Sequence, residues 1–125
     1  MDIRSGLAQT FNMHELSLAE SLIDTIEEES RKQHFSRVRK IWLEVGMLSG
    51  VEPEALRFGF EVAARRTCAE GAALEILETP GEAWCQDCQQ TVAIRAYYDG
   101  CPLCRSHRLR VTGGEQFQLK ELEVI

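Results

Sequence analysis

Between His14 and His34 the apolar residues Leu16, Leu18, Ala19, Leu22, Ile23 and Ile26 recur in steps of three and four, which lines one face of a helix. Glu15 and Glu20 lie early and Arg31 and Lys32 late, the polarity that a helix dipole favours. Glu27–Arg31 and Glu28–Lys32 are spaced to pair on the wet side of that helix. Asn12 stands where a cap belongs. Glu15, three residues on, suits a capping box, so spacing alone makes His14 an incidental first-turn residue. From Val38 to Val45 the period changes to two: Ile41, Leu43 and Val45 alternate with Trp42 and Glu44, predicting a strand. Gly46 to Glu52 reads as a loop and Pro53 as a first helical position. The spacing predicts a second helix from Pro53 to about Thr67, with Leu56, Phe60, Ala63 and Ala64 facing inward.

Ala73 to Thr79 reads as a short strand, with Leu74 and Ile76 on one face, and Pro80-Gly81 as a turn and plausible boundary. Trp84 to Arg110 has little periodic apolar sequence, so this stretch needs a staple to fold. Gly113-Gly114 closes it, and Phe117 to Ile125 is a final strand. Phe117 and Leu119 share one parity and Leu122 and Val124 the other, which predicts a bulge near Lys120-Glu121. The fold class is therefore α+β: a small sheet with two helices, plus an inserted four-cysteine module of zinc-ribbon type. The domain boundaries follow: an N-terminal extension over 1–12, an α+β domain over 13–81 completed by strand 115–125, and a cysteine module over 82–112.

A chain of 125 residues suffices for one modest domain or two small ones. Its apolar runs are far short of the roughly 18 residues that a membrane span needs. Residues 1–12 show no secretory pattern, which predicts a reducing, cytoplasmic setting. The net charge is −6, which disfavours a nucleic-acid partner.

The five cysteines sharpen the picture. Cys85, Cys88, Cys101 and Cys104 form two Cys-x-x-Cys pairs, and Cys68 is left over. In a reducing compartment such pairs point to metal ligation rather than to a disulfide framework. Four thiolates complete a tetrahedral Zn(II) shell and leave no position for a substrate, so zinc here is expected to be structural. Two competing readings remain. Cys101-Pro-Leu-Cys104 resembles half of a rubredoxin iron site, and Arg95, Arg105, Arg108 and Arg110 give a weak basic bias that a nucleic-acid-binding ribbon would use. His107 reads as an exposed hairpin residue, or an auxiliary ligand. Cys68 reads as a small, partly buried residue, because no histidine base lies near it in sequence. No phosphate-binding loop and no nucleophile–base pair is visible, so no enzymatic activity is expected.

Five segments carry a resemblance that runs in order from Met13 to the C-terminus: MHELSLAESLIDTIEEE, IWLEVGMLSGVEPEALRFGFE, AWCQDC, CPLC and RLRVTGGEQFQLKELEV. Together they resemble the HypA/HybF family of nickel metallochaperones for hydrogenase maturation. The resemblance implies a Ni(II) site separate from the zinc, on the α+β domain. It is implied to use the amine of Met13, the backbone nitrogens and imidazole of His14, the backbone of Glu15, and the acidic position Glu52. Such a nitrogen-rich, incomplete shell suits Ni(II) and permits exchange. The implied partners are a HypB-type GTPase and the hydrogenase large-subunit precursor. Twelve residues precede Met13 here, a departure from the family pattern, and while they remain Met13 has a peptide nitrogen instead of an amine. The alternative function is a structural zinc-ribbon adaptor that binds protein or nucleic acid without nickel.

Overall fold

The computed structural model describes residues 13–125. The expected extension, and Asn12 as a cap, lie outside the described residues. The elements are α1 (Met13–Gln33), β1 (Val38–Gly46), α2 (Pro53–Ala63), β2 (Ala73–Thr79), β3 (Gly81–Cys85), β4 (Gln90–Ile94), β5 (Leu109–Gly113) and β6 (Phe117–Val124). They form an α+β fold with two three-stranded sheets, ordered β2-β1-β6 and β4-β3-β5. Two compact units result. Among the described residues, one comprises 13–42, Val51–Glu75 and Leu119–Ile125; the other comprises Leu43–Gly50 and Ile76–Gln118.

In the helical unit, α1 buries Ala19, Leu22, Ile23 and Ile26, and α2 buries Leu56 and Phe60. Burying each such side chain contributes about 1.5–3 kcal/mol. The helices approach closely at Gly59, where a Cβ would lie 3.4 Å from the Glu15 carbonyl oxygen and from the Leu16 Cα. A methyl there would just touch α1, and a longer side chain has no room to extend toward it. Glu52 caps α2, its Oε1 accepting the Ala55 N–H at 2.9 Å, and Pro53 occupies the first helical position as its fixed φ predicts. The helix stops at Ala63, short of the expected Thr67. Ala64 to Cys68 form turns instead, with Arg66 at φ 64° and the Thr67 hydroxyl bonded to the Ala64 carbonyl. Ala64 is buried, whereas Ala63 is only half-buried.

Glu27 has a task that local spacing did not reveal. Its carboxylate accepts the Cys68 N–H at 2.8 Å, and the Cys68 carbonyl in turn accepts the Val38 N–H at 2.9 Å. That hydrogen bond first, with Arg31 as a lesser influence, holds the Glu27 carboxyl below its ordinary range. Glu28 pairs with Lys32 at 3.9 Å as expected. Burial and the Glu27 carboxylate push the Cys68 thiol up, which leaves it protonated and inert, in keeping with a structural residue.

In the second unit, the chain does not turn at Pro80-Gly81; Gly81 opens β3. The cysteine stretch also has more order than its sparse periodicity suggested. Gly81, Ala83 and Cys85 of β3 and Val92 and Ile94 of β4 alternate inward, and with Leu48 and Cys101 they form a small core. Small residues and cysteines carry that alternation, which is why it reads faintly in the sequence. β3 pairs antiparallel with β4, Trp84 opposite Thr91, and with β5, Cys85 opposite Leu109. Gly46 and Gly114 let the backbone close up: a Cβ on Gly46 would lie 2.1 Å from the Gly114 carbonyl oxygen. Along β6, exposure alternates until Lys120 and Glu121 are both exposed, so the expected change of phase is present, although Val124 is exposed.

Candidate metal centres

The two Cys-x-x-Cys turns sit where the second unit's strands end. The first is the loop of the β3–β4 hairpin, and the second precedes β5. They are built alike. Gln89 N–H donates to the Cys85 carbonyl at 2.8 Å, and Arg105 N–H donates to the Cys101 carbonyl at 2.7 Å. The residue after each second cysteine takes a left-handed backbone, Gln89 at φ 57° and Arg105 at φ 68°. Backbone N–H groups also point at sulfur: Cys88 N to Cys85 Sγ at 3.4 Å, and Leu103 N to Cys101 Sγ at 3.3 Å. Each turn thereby aims its two sulfurs at one point and supplies donors that stabilise a thiolate.

The four sulfurs all lie within 4.8 Å of one another, and this is the one group of three or more potential ligands among the described residues. Cys85 and Cys104 are 3.7 Å apart, and Cys88 and Cys101 3.8 Å apart. A tetrahedron with metal–sulfur bonds of about 2.3 Å has edges of about 3.8 Å, so the sulfur spacing fits a closed tetrathiolate site. Cys85 and Cys101 are buried, Cys88 is half-buried and Cys104 is exposed. Burial pushes the Cys101 thiol up, but the N–H groups of Cys104 and Leu103 and the neighbouring thiols outweigh it and bring the value to about 7. Hydrogen bonding to Cys104, with burial and the other sulfurs, pushes Cys88 up to about 12. The four thiols share these hydrogen bonds and titrate as a group: the first thiolate is favoured, the remaining protons are held more tightly, and a bound cation displaces them. The His107 ring lies over Gly100, within 3.2 Å of where a Cβ would stand, and it is not part of the sulfur group.

The Met13-His14-Glu15 segment is the first turn of α1. His14 is exposed, and Glu15 is fully buried. The Glu15 carboxylate does not simply serve its own helix. Its Oε2 accepts the Glu52 N–H at 2.8 Å, across 37 residues of chain, while its Oε1 is buried without a hydrogen-bond partner among the described residues. This bond joins the first turn of α1 to the cap of α2, so two of the residues implied by resemblance, Glu15 and Glu52, are in contact. Their side chains do not converge as the sulfurs do, and the Glu52 Oε1 is occupied by the Ala55 N–H. Sequence reasoning placed Glu15 in a cap; a tie to a residue so distant leaves no local periodic signal.

No helix among the described residues is long and apolar enough to cross a membrane. The family profile described as hydrogenase/urease nickel incorporation, metallochaperone, hypA matches residues 13–124. The hydrogenase maturation factor HypA of Azotobacter vinelandii is 54% identical over 112 residues, covering 90% of this chain and 99% of the relative. The protein of the same name from Bradyrhizobium sp. (strain ORS 278) is 54% identical over the same coverage. The solution structure of the Ni metallochaperone HypA from Helicobacter pylori matches with a TM-score of 0.64 at 26% identity, covering 89% of this chain and 97% of that one. With its two sheets, its four-sulfur group and this likeness along nearly the whole described chain, the chain belongs to the HypA family.

Proposed function

We propose that the protein is a nickel metallochaperone that binds Ni(II) at the front of α1 and delivers it for maturation of [NiFe] hydrogenase, with a structural Zn(II) held elsewhere in the chain. The observation that carries this reading is the 2.8 Å bond from the Glu52 N–H to Glu15, which brings an acidic loop residue to the turn that bears the exposed His14. On this reading His14 supplies an imidazole, the Met13–Glu15 backbone supplies nitrogens, and Glu52, tied to this turn through its N–H, supplies a carboxylate. An open, exchangeable shell of this kind suits cargo, because it lets a cation leave as readily as it enters. The sulfur group, in contrast, is closed. Zn(II) fits its spacing and, being redox-inert, contributes rigidity and folding free energy.

On this reading residues 13–81, completed by 115–125, handle nickel, and 82–112 form the zinc module. The Met13 amine is a ligand only where the chain starts at that residue; otherwise its peptide nitrogen takes that place. The receiving partners are a HypB-type GTPase and the hydrogenase large-subunit precursor, met in the cytoplasm. The chain catalyses no reaction of its own.

Nickel titration of the intact chain, of a form beginning at Met13, and of His14→Ala tests the proposal, with zinc measured alongside. His14→Ala is expected to lose nickel uptake while its zinc content stays unchanged. Equal, negligible uptake in all three forms identifies a zinc-ribbon adaptor instead, and a red preparation with bound iron identifies an electron-transfer site.

A further inference from the structure

We infer that Glu15 is the positioning residue of the nickel seat: its buried carboxylate, by accepting the Glu52 N–H, holds the loop before α2 against the first turn of α1, so that His14 and Glu52 face the same cation. This inference rests on the nickel reading above and adds a residue whose side chain does not itself ligate. Three observations carry it. Glu15 is the one charged side chain that is fully buried among the described residues. Its Oε2 is spent on the Glu52 backbone, and its Oε1 has no hydrogen-bond partner among the described residues. Burying a carboxylate with a single hydrogen bond is costly, and an apolar residue of similar size would stabilise the unit more. Stability alone therefore does not account for an acid at this position, whereas a strong, charge-assisted bond to a neighbouring loop does.

A second contact acts at the same place. Gly59 allows α2 to lie against the Glu15 carbonyl and the Leu16 Cα. The first turn of α1 is thus gripped by the body of α2 and by the loop that caps it. Glu52 is committed at its N–H to Glu15 and at Oε1 to Ala55. Its backbone is fixed, and only the remaining carboxylate oxygen is left to turn toward a guest. Without the Glu15 acceptor, Glu52 keeps its cap on α2 but loses its tether to the turn that bears His14.

The test is nickel titration of the full-length, zinc-loaded protein carrying Glu15→Leu, Glu15→Ala or Glu15→Gln, together with His14→Ala and Ile26→Ala. Leu fills the buried space without accepting a hydrogen bond; Gln keeps an acceptor for the Glu52 N–H. Ile26 is buried on the same helix, away from the seat, and its truncation serves as a purely destabilised control. Glu15→Leu is expected to weaken nickel binding by about tenfold to a hundredfold, the range for losing a residue that orients ligands. The visible absorption of bound nickel should change, while zinc content stays constant. Glu15→Gln is expected to restore most of the affinity, and Ile26→Ala to lower the melting temperature without weakening nickel binding. Wild-type nickel affinity in both Glu15→Leu and Glu15→Ala, with His14→Ala defective, overturns the positioning role and leaves the nickel reading intact. Equal weakening by Ile26→Ala and Glu15→Leu also overturns it, because the effect is then one of stability. Unchanged uptake in His14→Ala removes the nickel reading and this inference with it.

Discussion

The helical unit and the cysteine unit differ in how much apolar material they hold and in what keeps each together. In the first, long aliphatic side chains from α1 and α2 interlock, and buried or half-buried carboxylates (Glu15 and Glu27) tie distant backbone N–H groups to α1. In the second, the core residues are mostly small, and four sulfurs converge where hydrophobic bulk is missing. Backbone strain does not separate the two units: each holds two non-glycine residues in the left-handed region, His34 and Arg66 in the helical unit and Gln89 and Arg105 in the cysteine unit. What differs is where they sit, since Gln89 and Arg105 each follow the second cysteine of a knuckle, where convergence of the sulfurs fixes the turn.

The largest effect that tests this contrast is removal of the staple. Chelating the metal, or Cys88→Ser, is expected to forfeit stabilisation on the order of 10 kcal/mol within the β3–β4–β5 unit. The far-UV helical signal of α1 and α2 should survive, while amide dispersion from residues 81–113 collapses in NMR spectra. Loss of both signals in one transition would break the contrast, since the two units would then share a single cooperative core.

A smaller effect sharpens it. Gln89→Gly and Arg105→Gly relieve the left-handed backbone behind each knuckle and are expected to stabilise the cysteine unit by about 1 kcal/mol each. Slower loss of metal to a competing chelator is the measurement. Faster loss in both variants would show that the knuckles are held by those side chains rather than in spite of them.

The smallest effect belongs to the helical unit. Because the Cys68 N–H holds the Glu27 carboxyl below its ordinary value of 4.5, the folded state binds a proton less readily than the unfolded chain. The stabilisation is therefore complete above that ordinary value and is lost as pH falls through the lower, folded value. Glu27→Gln should remove it, costing below about 1 kcal/mol at neutral pH because the half-buried carboxylate is still screened by water. Thermal melts of the two proteins should converge in acid. A gap that stays constant at every pH would mean that charge has no part in the Glu27–Cys68 tie.

Much of the fold could be read from the chain. The apolar steps of α1, the alternation of β1, Ala73–Thr79 as a strand and Pro53 as a helix start all depend on local periods, and periods are local information. The grouping of the four sulfurs was readable too, because a two-residue gap fixes a turn almost by itself. The missed parts share one cause. β3 and β4 alternate through Gly81, Ala83 and Cys85, small residues whose inward pattern carries little hydrophobic weight. Glu15 and Glu27 looked like ordinary acids on a helix, one at a cap and one in an ion pair. Their actual partners, the backbone N–H groups of Glu52 and Cys68, are dozens of residues away, and only the tertiary fold brings them near.

The sulfur cage is lopsided: two of its walls are sealed in protein and Cys104 stands in solvent. Peroxide, mercurials and other thiophilic reagents meet that corner first, since they reach an exposed sulfur before one sealed in protein. Damage to the staple therefore has a front door, and the order in which its sulfurs fall is set by geometry before any difference in their chemistry is felt.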